Sequence, residues 1–180
     1  MANAQTNKIE AAQRQIDAAI RMIFAKEDPL AIHTIAAASL QILKDLSKHR
    51  GGNLVTNSLA IIIKPGKERE VWAAMNAPSN FLKHADKDPD GALNTLDENV
   101  NDLFLLMAMC MYSELEHKWT VEMRVFFAWC IAHHPDCFHL ESEAGAMMND
   151  IAQMFSDYDD KAEGLEFANL VLSDLRAKEL

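Results

Sequence analysis

The chain has 180 residues, of which 49% are apolar, and its formal net charge is −10 at neutral pH. This length and apolar content are typical of one domain with a substantial buried core. A surface with so much negative charge repels phosphate backbones, so the composition argues against nucleic acid as a partner.

The cysteines and the apolar runs indicate the cellular compartment of the protein. Cys110, Cys130 and Cys137 are an odd, sparse set without paired spacing, which indicates reduced thiols and a cytoplasmic protein. The first residues lack the apolar stretch of a secretory signal. The longest apolar run, residues 103–112, is too short to cross a bilayer, so we expect a buried core helix and no membrane association.

Two helices are predicted at the start of the chain. Apolar residues at three- and four-residue steps predict a helix from about Asn7 to Lys26. A second helix should follow Asp28, whose carboxylate can accept from the first-turn amides, with Pro29 at the first helical position. Gly51 supplies the left-handed residue at which this helix is expected to end.

The rest of the chain also favours helices. The ambiguous stretch "NSLAIIIKPG" is interpreted as a short helix because no partner strand is evident. Helix resumes at Lys67 to Met75, and Pro78 either kinks it or begins a new helix through His84. Further helices are predicted over residues 96–117, 120–133, 141–156 and 159–178. The expected fold is one all-α domain over residues 1–180, a bundle of about seven to nine helices.

The stretch from Asp86 to Asp97 has the spacing of a twelve-residue calcium loop. Such loops bind the ion through oxygen atoms at positions 1, 3, 5, 7, 9 and 12. The side-chain ligands here would be Asp86, Asp88, Asp90, Asn94 and Asp97, and a glycine occupies position 6, where a sharp turn is needed.

Three features of the same stretch favour a different interpretation. Position 12 is Asp97 rather than the longer glutamate, Pro89 restrains the loop, and no second loop of this kind is evident. The alternative is a polar turn between two helices, built from the usual Asp, Pro and Gly residues.

The runs "SNFLKHADKD" and "DPLAIHTIAAASLQIL" resemble an uncharacterised family of bacterial all-helical proteins with an Asn-Phe-x-Lys-His-Ala-Asp signature. The resemblance extends from the first helix to about Cys137. The resemblance implies a helical fold without an established activity. It also implies that the residues after the Asn-Phe-x-Lys-His-Ala-Asp signature do not form a calcium loop.

A more distant resemblance is to HEPN domains, helical bundles that often dimerise and sometimes cleave RNA. Their motif has an arginine, then a polar residue, then a histidine. Asn80 and His84 match the last two, whereas Ser79 stands in place of the arginine that would neutralise a phosphate. Lys83 is next to His84 in sequence but points about 100° away from it on a helix.

Two other groups of metal-binding residue types are weaker matches. Glu114 and His117 form one Glu-x-x-His pair, whereas a di-iron bundle needs two such pairs and two further glutamates. The segment "HHPDCFH", residues 133–139, contains zinc-binding residue types in a single segment, whereas structural zinc sites usually draw on two. For His33, a hydrogen-bonded core position is the expectation.

The sequence therefore predicts a cytoplasmic binding or interaction module that forms a homodimer and contacts a further protein. We assign no catalytic residue and lean against an enzyme. Asn80, Lys83 and His84 are the candidate functional residues. The alternatives are a calcium-binding regulatory module, for which calcium would be the only cofactor, and a degenerate HEPN-like ribonuclease.

Overall fold

The computed structural model describes residues 5–51, 68–84, 86–93, 98–134, 153, 155 and 161–179. These residues form helices without any strand, which confirms the all-α class. The described ranges hold six helices, fewer than the seven to nine predicted. The predicted short helix at 57–66 and most of the helix at 141–156 lie outside them. The helices are α1 (Lys8–Phe24), α2 (Pro29–His49), α3 (Glu68–Lys83), α4 (Glu98–Glu116), α5 (Val121–His133) and α6 (Lys161–Glu179).

The ends of α1 and α2 follow the signals in the sequence. Asn7 and Glu10 form a reciprocal capping box at the start of α1. The Asp28 carboxylate accepts hydrogen bonds from the first-turn amides of α2 at 2.9 and 3.0 Å. Gly51 has a φ of 75° just beyond the end of α2, as a left-handed stop requires.

Proline 78 neither ends a helix nor begins one. The chain stays helical from Glu68 to Lys83 with Pro78 inside α3, so the predicted second helix start at this position is wrong. Since proline has no amide hydrogen, one carbonyl of the preceding turn loses its helical partner. Pro78 is buried, so its ring packs into the protein at the cost of that hydrogen bond.

The core lies between α1, α2, α4 and α5. α2 packs against α1 on one side and α4 on another, and α6 packs against α5. Every residue of the predicted apolar run, 103–112, is buried or half-buried, as expected of a core helix. Its three alternating methionines are at most 1% exposed and fill the core rather than forming one face. The largest buried side chains include Trp129, Tyr112, Phe126, Met107, Met109 and Met111.

A buried carboxylate joins three helices. Glu122 on α5 is only 6% exposed. It accepts a hydrogen bond from Arg21 on α1 at 2.5 Å and another from Arg176 on α6. Because both arginines remain partly exposed, they neutralise Glu122 from the solvent side. Among the described helices, none is both long and apolar enough to span a membrane.

Candidate functional site

The last turn of α3 lies on the protein surface. Every residue from Asn80 to His84 is exposed. An open groove of about 430 Å³ runs along this helix end. It is lined by Asn80, Phe81, His84, Lys87 and Asp88. The described residues of the signature run, 80–84 and 86, are therefore exposed at the surface.

The structure brings two of the three candidate functional residues together. Asn80 and His84 lie one helical turn apart and both line the groove. The backbone amide of His84 donates to the carbonyl oxygen of Asn80 at 3.1 Å, which closes the final turn. Lys83 is exposed but is not among the groove residues.

Ser79 is buried, whereas its neighbour Asn80 is exposed. Ser79 is only 8% exposed, and its hydroxyl lies 2.8 Å from Nε2 of His33 on α2. The position at which a HEPN domain has arginine is therefore turned into the protein rather than toward the groove. A serine fits here because it is small and can hydrogen-bond to the buried ring.

His33 is a hydrogen-bonded core residue, as the sequence predicted. It is fully buried, and its Nδ1 lies 3.0 Å from Oδ1 of Asn101 on α4. The Asn101 amide nitrogen donates to the carbonyl of Pro29 at 2.9 Å, so its oxygen faces the histidine. Nδ1 therefore carries the proton, and Nε2 accepts from the hydroxyl of Ser79.

The pKa of His33 is lowered from its usual value, and burial is the main cause. The hydrogen bond with Asn101 opposes this change, while the positive charge of Lys83 adds to it. The His33 ring also packs against Phe104 in an edge-to-face arrangement, with 4.7 Å between ring centroids. The surroundings thus favour the neutral imidazole.

The order Ser79, His33, Asn101 has the connectivity of a nucleophile, a base and an orienting group. Two features keep Ser79 from acting as a nucleophile in this conformation. Its side chain is buried, so a substrate has no access. It also lies within α3, where the surrounding amides belong to the helical hydrogen-bond ladder and cannot form an oxyanion hole. The trio is an anchor between helices.

The acidic stretch after α3 forms a turn in its described part. The amide of Lys87 donates to the carbonyl of His84 at 2.9 Å, and that of Gly91 to the carbonyl of Asp88 at 3.2 Å. The Asp88 carboxylate lies so close to Gly91 that a Cβ there would be 2.4 Å from Oδ2. A residue larger than glycine would therefore require the exposed Asp88 side chain to move aside.

The predicted calcium ligands divide between described and undescribed residues. Asp86, Asp88 and Asp90 are exposed, and no group of three or more His, Cys, Asp or Glu side chains that could hold a metal ion occurs in the described ranges. Asn94 and Asp97 lie outside those ranges. The described part of this stretch, residues 86–93, contains turns.

The other metal-binding patterns have structural explanations where they are described. His117 follows the last residue of α4 with a φ of 54°, so it does not continue the helical face that carries Glu114. His133 stacks on Trp129 with 4.6 Å between ring centroids. His134 lies 3.1 Å from the buried carboxylate of Asp102. Residues 135–139 lie outside the described part of the chain.

The exposed apolar side chains at the end of α3 were not predicted from the sequence. Four large apolar side chains are exposed among the described residues, and Phe81 and Leu82 are two of them, at 39% and 42% exposure. The other two, Leu170 and Leu175, are on α6. Neighbouring helical residues point about 100° apart, so the direction of Phe81 and Leu82 depends on how α3 packs, which the local sequence does not show.

Searches against protein-family models, curated proteins and solved structures find no match to this chain. The choice between functions therefore depends on what the exposed end of α3 can do chemically.

Proposed function

We propose that this chain is a non-catalytic binding module, located in the cytoplasm, that contacts a protein partner through the end of α3. The contact region, named here the α3-end surface, consists of Asn80, Phe81, Leu82, His84 and Lys87. One observation carries the proposal: Phe81 and Leu82 are both exposed at the end of α3, and Phe81 lines the groove together with four polar residues.

The energetics of this surface favour association. Burying a large apolar side chain fully yields about 1.5–3 kcal/mol, so the remaining exposed parts of Phe81 and Leu82 offer a fraction of that to a partner. The polar groups of Asn80, His84 and Lys87 surround them and can supply hydrogen bonds at the rim of an interface. An apolar centre with a polar rim is typical of protein-binding sites.

Photo-crosslinking tests the proposal in the native cell. A photoreactive phenylalanine analogue replaces Phe81 in one variant and Leu170, the exposed leucine on α6, in the other. We expect the first variant to give a discrete crosslinked adduct that the second does not give. The adduct should disappear when Leu82→Ser is added and persist when Leu175→Ser is added. Equal crosslinking from both positions would contradict the assignment of the surface to α3.

A second copy of the chain is one form that the partner can take, consistent with our expectation of a homodimer. The mass of the adduct distinguishes this case, since a dimer has twice the mass of the chain. Sedimentation of the purified protein gives an independent measure. If the α3-end surface forms the dimer, Phe81→Ser with Leu82→Ser should yield a monomer, whereas Leu170→Ser should not alter the oligomeric state.

A further inference from the structure

We propose that His33 is a proton-sensitive latch, which holds α3 against α2 and α4 while its ring is neutral and releases α3 when it is protonated. This device is independent of what binds to the α3-end surface. It follows from the position of one buried ring between three helices.

The neutral ring satisfies all of its hydrogen-bonding groups across the helix junction. Nδ1–H donates to Asn101 on α4 at 3.0 Å, and Nε2 accepts from Ser79 on α3 at 2.8 Å. His33 itself belongs to α2 and has no exposed surface. The bond to Ser79 is therefore a direct polar connection between α3 and the centre of the bundle.

Protonation would disrupt this arrangement at the α3 side. A doubly protonated ring has only donors, so Nε2 could no longer accept from the Ser79 hydroxyl, which would have to turn and accept instead. The new charge would also be buried, and an unpaired buried charge is costly. Contact with Asn101 survives, because Nδ1–H still donates to the same oxygen.

Among the residues that influence the pKa of His33, none is a carboxylate that could balance that charge. From α3, the charged group is Lys83, whose positive charge repels an imidazolium. From α4, the neighbours are the neutral side chains Asn101 and Phe104. The neighbouring charge and burial both lower the pKa of His33, and only the hydrogen bond to Asn101 opposes them.

α3 is the helix that can move to relieve this cost. Its buried side chains, among those described, are Met75, Pro78 and Ser79, and the following residues through His84 are exposed. α2 and α4, in contrast, contribute much of the core. Few buried apolar side chains and an exposed end are features of segments that open locally at low free energy. Opening of α3 would let water reach Nε2–H.

Hydrogen exchange of the intact protein between pH 5 and 8, corrected for intrinsic rates, tests the latch. The ionisation of His33 is followed in parallel by ¹⁵N NMR of its ring. We expect the protection of α3 amides to fall as His33 becomes protonated. The fall should be about tenfold for each unit by which the pKa of His33 is lower with α3 closed than with α3 open. Protection of α1 should stay constant over the same range.

Two variants provide controls. His33→Gln cannot be protonated, so α3 protection should lose its dependence on pH even if it is lower throughout. His49→Gln removes an exposed histidine at the end of the same helix and should behave as wild type. The inference is wrong if wild-type α3 protection does not follow the His33 titration, or if α1 and α3 lose protection together, which would indicate global unfolding.

Discussion

The substitution Asn101→Asp should reverse the pH dependence that His33 confers on stability. It replaces the neutral oxygen 3.0 Å from Nδ1 of His33 with a carboxylate of nearly the same shape. A negative charge at this distance favours the imidazolium, so the pKa of His33 should rise above its ordinary value instead of lying below it. Each unit of that change corresponds to about 1.4 kcal/mol.

The direction of each pH dependence follows from how readily His33 binds a proton in the folded and the unfolded state. In the wild type, the pKa of His33 is lowered from the ordinary 6.5, so the unfolded chain binds the proton more readily. The contribution of His33 is then fully present above pH 6.5 and is lost as the pH falls toward the lowered value. In Asn101→Asp the folded state binds the proton more tightly. Its contribution is present below pH 6.5 and is lost as the pH rises through the raised value.

The variant also loses a hydrogen bond that does not depend on pH. The Asn101 amide nitrogen donates to the carbonyl of Pro29 at 2.9 Å, and a carboxylate cannot do this. Leaving that carbonyl without its partner costs about 1–3 kcal/mol. We therefore expect the variant to be less stable than wild type by at least this amount at pH 8, and the deficit to shrink as the pH falls to 5.5.

Urea unfolding at several pH values measures the difference in unfolding free energy between Asn101→Asp and wild type. The contributions of the other titrating groups largely cancel in this difference. Asn101→Leu is the matched control, since it removes both hydrogen bonds without adding a charge. The difference in unfolding free energy between Asn101→Leu and wild type should therefore not shrink as the pH falls. If the deficit of Asn101→Asp is the same at pH 5.5 and 8, the proposed geometry around His33 is wrong.

Three further predictions concern other parts of the chain. Glu122→Gln should reduce the free energy of unfolding by about 1–3 kcal/mol, because a buried carboxylate that joins three helices becomes neutral; unchanged stability in urea would contradict this. Burial lowers the pKa of Lys44 to about 8, so Lys44→Met should be more stable than wild type at pH 7, by a margin that shrinks as the pH rises above 8. A less stable variant would show that the contact of the Lys44 ammonium with Trp72, 3.7 Å from the ring centroid, prevails over burial. Calcium at millimolar concentration should leave the melting temperature unchanged, and an increase that Asp97→Asn abolishes would establish the loop as a site.

Local signals were enough to predict several helix boundaries. Asn7, Asp28 and Gly51 each act through residues within one turn, so their roles can be inferred from neighbours in the chain. The helix predicted from Thr120 to His133 is observed at Val121–His133, with Thr120 as the cap. At Pro78 the choice between a kink and a new helix start depends on packing against other helices, which the local sequence does not contain.

The candidate site was only partly predictable for the same reason. The pairing of Asn80 with His84 follows from helical spacing, and the structure places both at one groove. The contacts of His33 join it to Ser79 and Asn101, which are 46 and 68 residues away. Partners so distant in the chain are set by how the helices pack, and no periodicity identifies them.

The two faces of the α3 end explain why polar and apolar residues alternate so closely in this run. Ser79 faces inward and is held by the buried ring of His33, while Asn80 and Phe81 face outward along the groove. Since consecutive helical residues point about 100° apart, fixing one side chain also fixes the direction of the next two. The surface that we assign to binding is thus positioned by a hydrogen bond made immediately before it. Replacing Ser79 would therefore disturb the presentation of Phe81 without changing any residue of the surface itself.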